Sequence, residues 1–301
     1  MSGRSEGASG RDTAVYQADT FVSLLTAALE RHLPLWRHLI HDLAQVPKIE
    51  ARRAGWRPSD AEAVQALLLS YLSAMTDWSR IQAALEQIRG VLPDWTPRVV
   101  ASLSPNEITR LQRWFLDHRL GSVLLGQQLR SLPHAAVILD RMSREAGSVD
   151  AFVHKAQQAG TIIELLTTKN SEWKLPGVGV ALAAEFLKNL GHDDFKPDRH
   201  MLRMLGPSRL NIVGRPSQLE TRRWGLWMAR EARMPAAQLD QMLWLYCARG
   251  YAAVCSARPR CQECLLASAC NFPKSLRRGQ GEASAAPRHP FTRLSHGRGK
   301  F

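Results

Sequence analysis

Apolar residues recur every three or four positions along most of this chain. In 21–33 (FVSLLTAALERHL), Phe21, Leu24, Leu25, Ala28 and Leu29 share one helical face, which predicts an amphipathic helix docked on a core. The same rhythm predicts helices over 61–72, 80–92, 105–116, 122–132, 134–146, 161–168, 180–190, 199–205, 217–231 and 236–248. Turn-forming residues separate them, among them Pro93, Pro97, Pro133, Gly147, Pro176-Gly177, Gly191, Pro197, Pro207, Pro216 and Pro235. No alternating pattern of strand length is present, so the expected class is all-α. The rhythm lapses at both ends. Residues 1–19 are Gly/Ser-rich and polar, and 274–301 carry few large apolar groups; such segments bury too little surface to offset chain entropy, and both are expected to be disordered.

With 301 residues, 45% of them hydrophobic, the chain can form one large core or two modest ones. The longest apolar candidate, Ala63 to Met75, is interrupted by Gln65, Ser70 and Ser73, so no membrane span is expected. No charged-then-apolar leader opens the chain, and a cytoplasmic, reducing location is expected. The formal charge of +13 favours a polyanionic partner without separating DNA, RNA, acidic protein and anionic lipid. Residues 274–301 hold seven Lys or Arg against Glu282 alone, a formal +6.

The cysteines narrow the choice. Four of the five, Cys255, Cys261, Cys264 and Cys270, form a C-x5-C-x2-C-x5-C pattern. Two disulfides would suit a small secreted domain; in a long chain with few cysteines the cluster points to a metal site. Soft thiolates at this spacing can surround one [4Fe–4S] cluster or one Zn2+, although zinc sites usually use two close pairs and only Cys261 and Cys264 are close here. Cys247 lies in an apolar helical run and reads as a buried, unligated thiol.

Upstream, Leu175-Pro176-Gly177-Val178-Gly179 joins the predicted helices 161–168 and 180–190. It reads as a tight hairpin whose free N–H groups can face a phosphate, or as an ordinary helix–helix turn. Asp198, after Pro197 and ahead of 199–205, suits a helix N-cap.

In this order, hairpin, aspartate and cysteines resemble the endonuclease III branch of the helix-hairpin-helix (HhH-GPD) DNA glycosylases, over about residues 57–273. The resemblance implies a two-domain helical fold: a bundle over 57–191 ending in the hairpin, and 20–56 joined to 192–273 around a [4Fe–4S] cluster held by the four cysteines. It implies a monomer, associated with the nucleoid, acting on double-stranded DNA that contains a damaged or mismatched base. Lys174 and Leu175 to Gly179 are then phosphate contacts, and Arg258 and Arg260 reach the DNA backbone from the cysteine loop. Asp198 takes the place of the catalytic aspartate, which stabilises the positive charge built on the sugar and polarises the attacking water. His200 is expected to be structural.

Several departures modify the expectation. The family's nucleophilic lysine falls on Ala181, which implies a monofunctional enzyme with little or no lyase activity; Lys174 and Lys188 lie nearby and are expected to be phosphate contacts or solvated charges. Leu72-Ser73-Ala74-Met75-Thr76-Asp77 resembles the segment whose glutamine fills the gap left by a flipped base, but Ala74 stands in its place, leaving Tyr71 and Met75 as candidate wedges or core residues. Five residues, where the family has six, separate the first two cysteines, so that loop is expected to be tighter or differently bent; residues 20–56 form a helical extension before the match and 105–160 is longer than the family needs, so a remodelled pocket is expected. The alternatives are a non-catalytic DNA-binding or damage-recognition protein on the same fold and a zinc-stabilised nucleic-acid-binding module.

Overall fold

The computed structural model describes residues 18–74, 78–215 and 217–273. Among these the protein is all-helical. The helices are α1 (Ala18–His32), α2 (Trp36–Asp42), α3 (Gln45–Arg53), α4 (Asp60–Leu72), α5 (Trp78–Ala83), α6 (Leu85–Gly90), α7 (Pro97–Ala101), α8 (Pro105–Asp117), α9 (Leu125–Ala146), α10 (Val149–Gln158), α11 (Ile162–Thr167), α12 (Val180–Asn189), α13 (Arg199–Leu205), α14 (Gln218–Glu231) and α15 (Ala236–Cys247). Two short 3-10 turns, Cys261–Glu263 and Ala267–Ala269, lie within the cysteine segment. None of the described helices is long and apolar enough to cross a membrane. Ala18 and Asp19 belong to α1, so the predicted disordered start extends too far by two residues; the rest of both predicted disordered ends lies outside the described residues.

Local chemistry explains several starts. Ser59 and Ser104 each accept a bond from the third helical N–H while Glu62 and Glu107 reach back to the cap's own N–H, so α4 and α8 both open on a capping box. Elsewhere packing overrides local signals. The helix boundary expected at Pro133 does not form, and α9 runs through it. A proline in a helix forfeits one main-chain bond, whereas the stripe Leu125, Leu129, Leu132, Ala136 and Leu139 continues across it and is buried on both sides. The predicted helix over 80–92 breaks at Ala84 into α5 and α6.

The buried apolar side chains form two clusters. One draws on residues from Ala63 to Leu190, including Leu67, Tyr71, Phe115, Leu139 and Phe186. The other joins the two ends of the described chain: Phe21, Leu25, Leu29 and Trp36 pack with Phe195, Met204, Leu243, Tyr246 and the cysteines 247, 255 and 270. Phe21 meets Trp224 edge-on at 5.6 Å between ring centroids.

Polar side chains fill the seam between them. Gln45 Nε2 donates to Glu185 Oε1 (3.1 Å) and Asn189 Oδ1 (2.9 Å), and Gln241 Nε2 donates to Gln45 Oε1 (3.1 Å). Arg52 of α3 grips Asp150 of α10 through both Nη1 (2.6 Å) and Nη2 (3.1 Å), and His192 Nε2 sits 3.0 Å from the same carboxylate. Buried polar groups with partners tolerate dry surroundings that unpartnered ones do not, and each of these partners fixes one cluster against the other.

Candidate active site and cysteine centre

The hairpin emerges from α11 and turns at Gly177, whose φ of +71° lies in the left-handed region. A side chain is strained there. Gly179 has ordinary φ (−105°) and caps α12; a Cβ at this position would meet nothing within 4 Å. Both glycines are exposed, while Leu175 and Val178 are buried and anchor the turn from below, with Pro176 half-buried. No main-chain acceptor takes the N–H groups of Gly179, Val180, Ala181 or Leu182 among the described residues. These amides therefore point a partial positive charge outward at the start of α12.

Two expected DNA contacts instead brace this turn. Lys174 Nζ donates to the carbonyl oxygens of Leu175 (2.6 Å) and Val178 (2.5 Å), and partial burial lowers its pKa from the ordinary lysine value. Its ammonium is spent on the hairpin's own main chain. Tyr71, a wedge candidate, has no exposed surface, and its hydroxyl donates to Pro176 O at 2.5 Å. A side chain so enclosed is a core residue, not a wedge. Met75, the other candidate, lies outside the described residues.

Asp198 is the N-cap of α13. Its Oδ1 accepts from the N–H groups of His200 (2.7 Å) and Met201 (3.2 Å), and no hydrogen bond or ion pair holds Oδ2 among the described residues. The side chain is half-buried. Two residues earlier, Lys196 Nζ reaches Glu185 Oε2 (3.4 Å) and Ser73 Oγ (3.3 Å), tying the approach to Asp198 to α12 and to the end of α4. His200 is tied to its own helix: its Nδ1 accepts from Arg203 Nη2 at 3.0 Å, and Arg203 Nη2 also reaches Cys255 O at 3.5 Å. Burial lowers the His200 pKa, which suits an accepting ring nitrogen.

Lys188 is neither solvated nor a phosphate contact. It is 2% exposed, paired with Asp240 and with Glu185 (3.1 Å). Burial works against its charge, but the two carboxylates outweigh burial and hold its pKa above the ordinary lysine value. Burial pushes Asp240 up to about 6 despite Lys188, whereas for Glu185 burial is outweighed by Lys188 and Lys196, which hold it at about 2. Glu185 and Lys188 stand three apart on α12, a local helical spacing; Asp240 joins them only because the fold brings α12 to α15.

All four motif cysteines line one cavity, together with Arg209, Val254, Pro259, Ala267, Phe272 and Pro273. Among the described residues no three or more His, Cys, Asp or Glu side chains are gathered tightly enough to hold a metal ion. The sulfurs nonetheless have donors: Arg209 Nη1 reaches Cys255 Sγ at 2.8 Å and Tyr246 Oη reaches Cys264 Sγ at 3.0 Å. The hydrogen bond from Cys247 is the largest influence bringing the Cys255 thiol down to about 6; burial opposes it and the Arg209 charge adds to it. Burial raises the pKa of Cys261, Cys264 and Cys270. Cys247 is fully buried against Met204, Sγ to Sδ 3.5 Å, outside the cavity lining. Of the two loop arginines, Arg258 is exposed, whereas Arg260 pairs with Glu263 (2.9 Å) and donates to Ala252 O, which leaves it less able to reach a DNA phosphate.

No protein-family model matches the chain, and no curated protein does. Among solved structures it is similar to the 8-oxoguanine DNA glycosylase of Methanocaldococcus jannaschii, at 18% identity over 75% of this chain and 94% of that chain, with a TM-score of 0.49.

Proposed function

We propose that this protein is a helix-hairpin-helix DNA glycosylase that hydrolyses the bond between a damaged or mismatched base and its deoxyribose, using Asp198 and water. The observation that carries this reading is the placing of Asp198: one carboxylate oxygen is fixed by two helix amides while the other has no partner among the described residues. A carboxylate held in this way is oriented before substrate arrives, and its second oxygen is available to a developing sugar cation or to a water. The unbonded amides at the start of α12, beside a glycine turn without protruding side chains, suit a DNA phosphate. The base is turned out of the duplex to reach the aspartate.

The lysines around the site support hydrolysis over amine attack. Position 181 is alanine, Lys174 is bonded to hairpin carbonyls, Lys188 is buried between two carboxylates, and Lys196 is held by Glu185 and Ser73. None presents a free amine to a sugar carbon.

Cys255, Cys261, Cys264 and Cys270 hold a [4Fe–4S] cluster in this reading, with Zn2+ as the rival occupant. The shared cavity and the donors on two sulfurs fit a four-thiolate centre. When bound, the group cross-links the last described residues; the base-releasing chemistry stays with Asp198. A brown protein absorbing near 400 nm supports the cluster, and a colourless protein with stoichiometric zinc overturns it.

The test is a panel of duplexes carrying uracil, an alkylated purine, an oxidised pyrimidine or an adenine mismatch. We expect one to lose its base and leave a strand that breaks only after alkali or heat. Asp198→Asn keeps the cap and removes the charge, so it should bind the same duplex without releasing base. Efficient borohydride trapping of the unaltered protein overturns the monofunctional assignment, and undiminished base release by Asp198→Asn removes the aspartate from the mechanism.

A further inference from the structure

Arg209 is 4% exposed, and no carboxylate stands within ion-pairing distance of it among the described residues. A buried guanidinium is costly unless an anion meets it. Its donors go to the cysteine segment: Nη1 to Cys255 Sγ (2.8 Å) and Cys255 O (3.0 Å), Nη2 to Ser256 O (2.8 Å). Its own carbonyl accepts from Asn271 N at 2.7 Å, and its guanidinium lies 5.3 Å from the Phe272 ring centroid. One residue thus holds both the first cysteine and the residues that follow the last. The two carbonyls it takes open the five-residue loop between Cys255 and Cys261, which gives that short loop a fixed bend.

Resting on the four-cysteine centre proposed above, we propose that Arg209 is the counter-cation of that centre, retaining its metal and, for an iron–sulfur cluster, raising its reduction potential. Carbonyl oxygens offer Arg209 only dipoles; the anionic partner within its reach is the sulfur of Cys255, one of the four thiolates that would leave negative charge on a bound metal centre. Taking up one electron from an electrode makes such a cluster more negative by one charge. A guanidinium on a ligand sulfur therefore favours the reduced form, and neutralising it moves the potential to more negative values.

The full chain, purified under argon, is compared with Arg209→Met, Arg209→Gln and Arg209→Lys. Metal content, the rate of metal loss to EDTA and the midpoint potential at an electrode are measured. Arg209→Met should lose metal roughly tenfold faster and show a more negative potential, with Arg209→Lys closer to the unaltered protein. If the Met variant fails to fold, Arg209→Gln, which keeps amide donors without the charge, takes its place and should show the same two changes. Unaltered retention and potential in the neutral variants overturn the proposal while leaving the cluster intact. Zinc without iron in the unaltered protein overturns the cluster instead, and zinc loss to EDTA then decides the role of Arg209. Protein with neither metal overturns both.

Discussion

Tyr71 holds the hairpin from behind: its hydroxyl donates to the carbonyl oxygen of Pro176 at 2.5 Å, linking the end of α4 to the turn 105 residues later. Burial raises the phenol's pKa, so it remains a donor throughout the working pH range. Tyr71→Phe keeps the ring packing and strands the carbonyl, and should cost about 1–2 kcal/mol of stability. The thermal midpoint should fall and affinity for duplex DNA should weaken together. Loss of stability with unchanged DNA affinity would separate this bond from the hairpin's function.

The two hairpin glycines should respond differently to alanine. Gly177→Ala places a side chain at φ +71° and should destabilise the fold by roughly 1–2 kcal/mol. Gly179→Ala has open space and ordinary φ, so folding should be unaffected. Any loss of DNA binding by Gly179→Ala then reports a close phosphate. Equal binding by both variants and the unaltered protein would remove the hairpin from the DNA interface.

Replacing any one of Cys255, Cys261, Cys264 or Cys270 with Ser should lower metal content and destabilise the second core, because each lines the shared cavity. Cys247→Ala removes a buried sulfur that contacts Met204 and should leave metal content unchanged. Metal loss from the Cys247 variant equal to that of the others would mean that the ligand set is misassigned.

Stability should depend on pH through the buried charges of the seam. Glu185 sits at about 2 against an ordinary 4.5, so the stability it contributes is present above pH 4.5 and is lost as pH falls toward 2. Asp240 is shifted the other way, to about 6 from 3.8, so its contribution is present below pH 3.8 and is lost as pH rises through 6. Urea unfolding as a function of pH should show Glu185→Gln flattening the acid limb and Asp240→Asn flattening the slope between pH 3.8 and 6. An acid limb unchanged in Glu185→Gln would refute the assignment.

The helices with clear apolar stripes, α1, α4, α8, α12 and α15, are legible because a stripe needs no knowledge of its partner. Pro133 misleads because one forfeited hydrogen bond weighs less than a continuous buried face. The periodicity does not pick out α10, although Gly147 and Ser148 carry its signal: a glycine with φ +86° ending α9, then a serine whose hydroxyl caps Ala151 N. The capping aspartate is visible from Pro197 and the helix after it. The fates of Lys174, Lys188, Tyr71 and Arg209 are not, since each depends on groups that its sequence neighbourhood does not pattern: carbonyls of a turn, the Asp240 carboxylate of a distant helix, or a cysteine 46 residues away.

The second core draws on both ends of the described chain, and this orders events on the ribosome. Residues from Ala63 to Leu190 can bury their apolar faces as one continuous stretch while synthesis is still under way. Helix α1 is made before that stretch yet joins its core last: Phe21 waits for Trp224, and Leu25 and Leu29 wait for the helix that ends at Cys247. Until then its apolar face lacks the side chains of α14 and α15 that cover it in the folded protein, and the cysteines are synthesised after every residue of the first core.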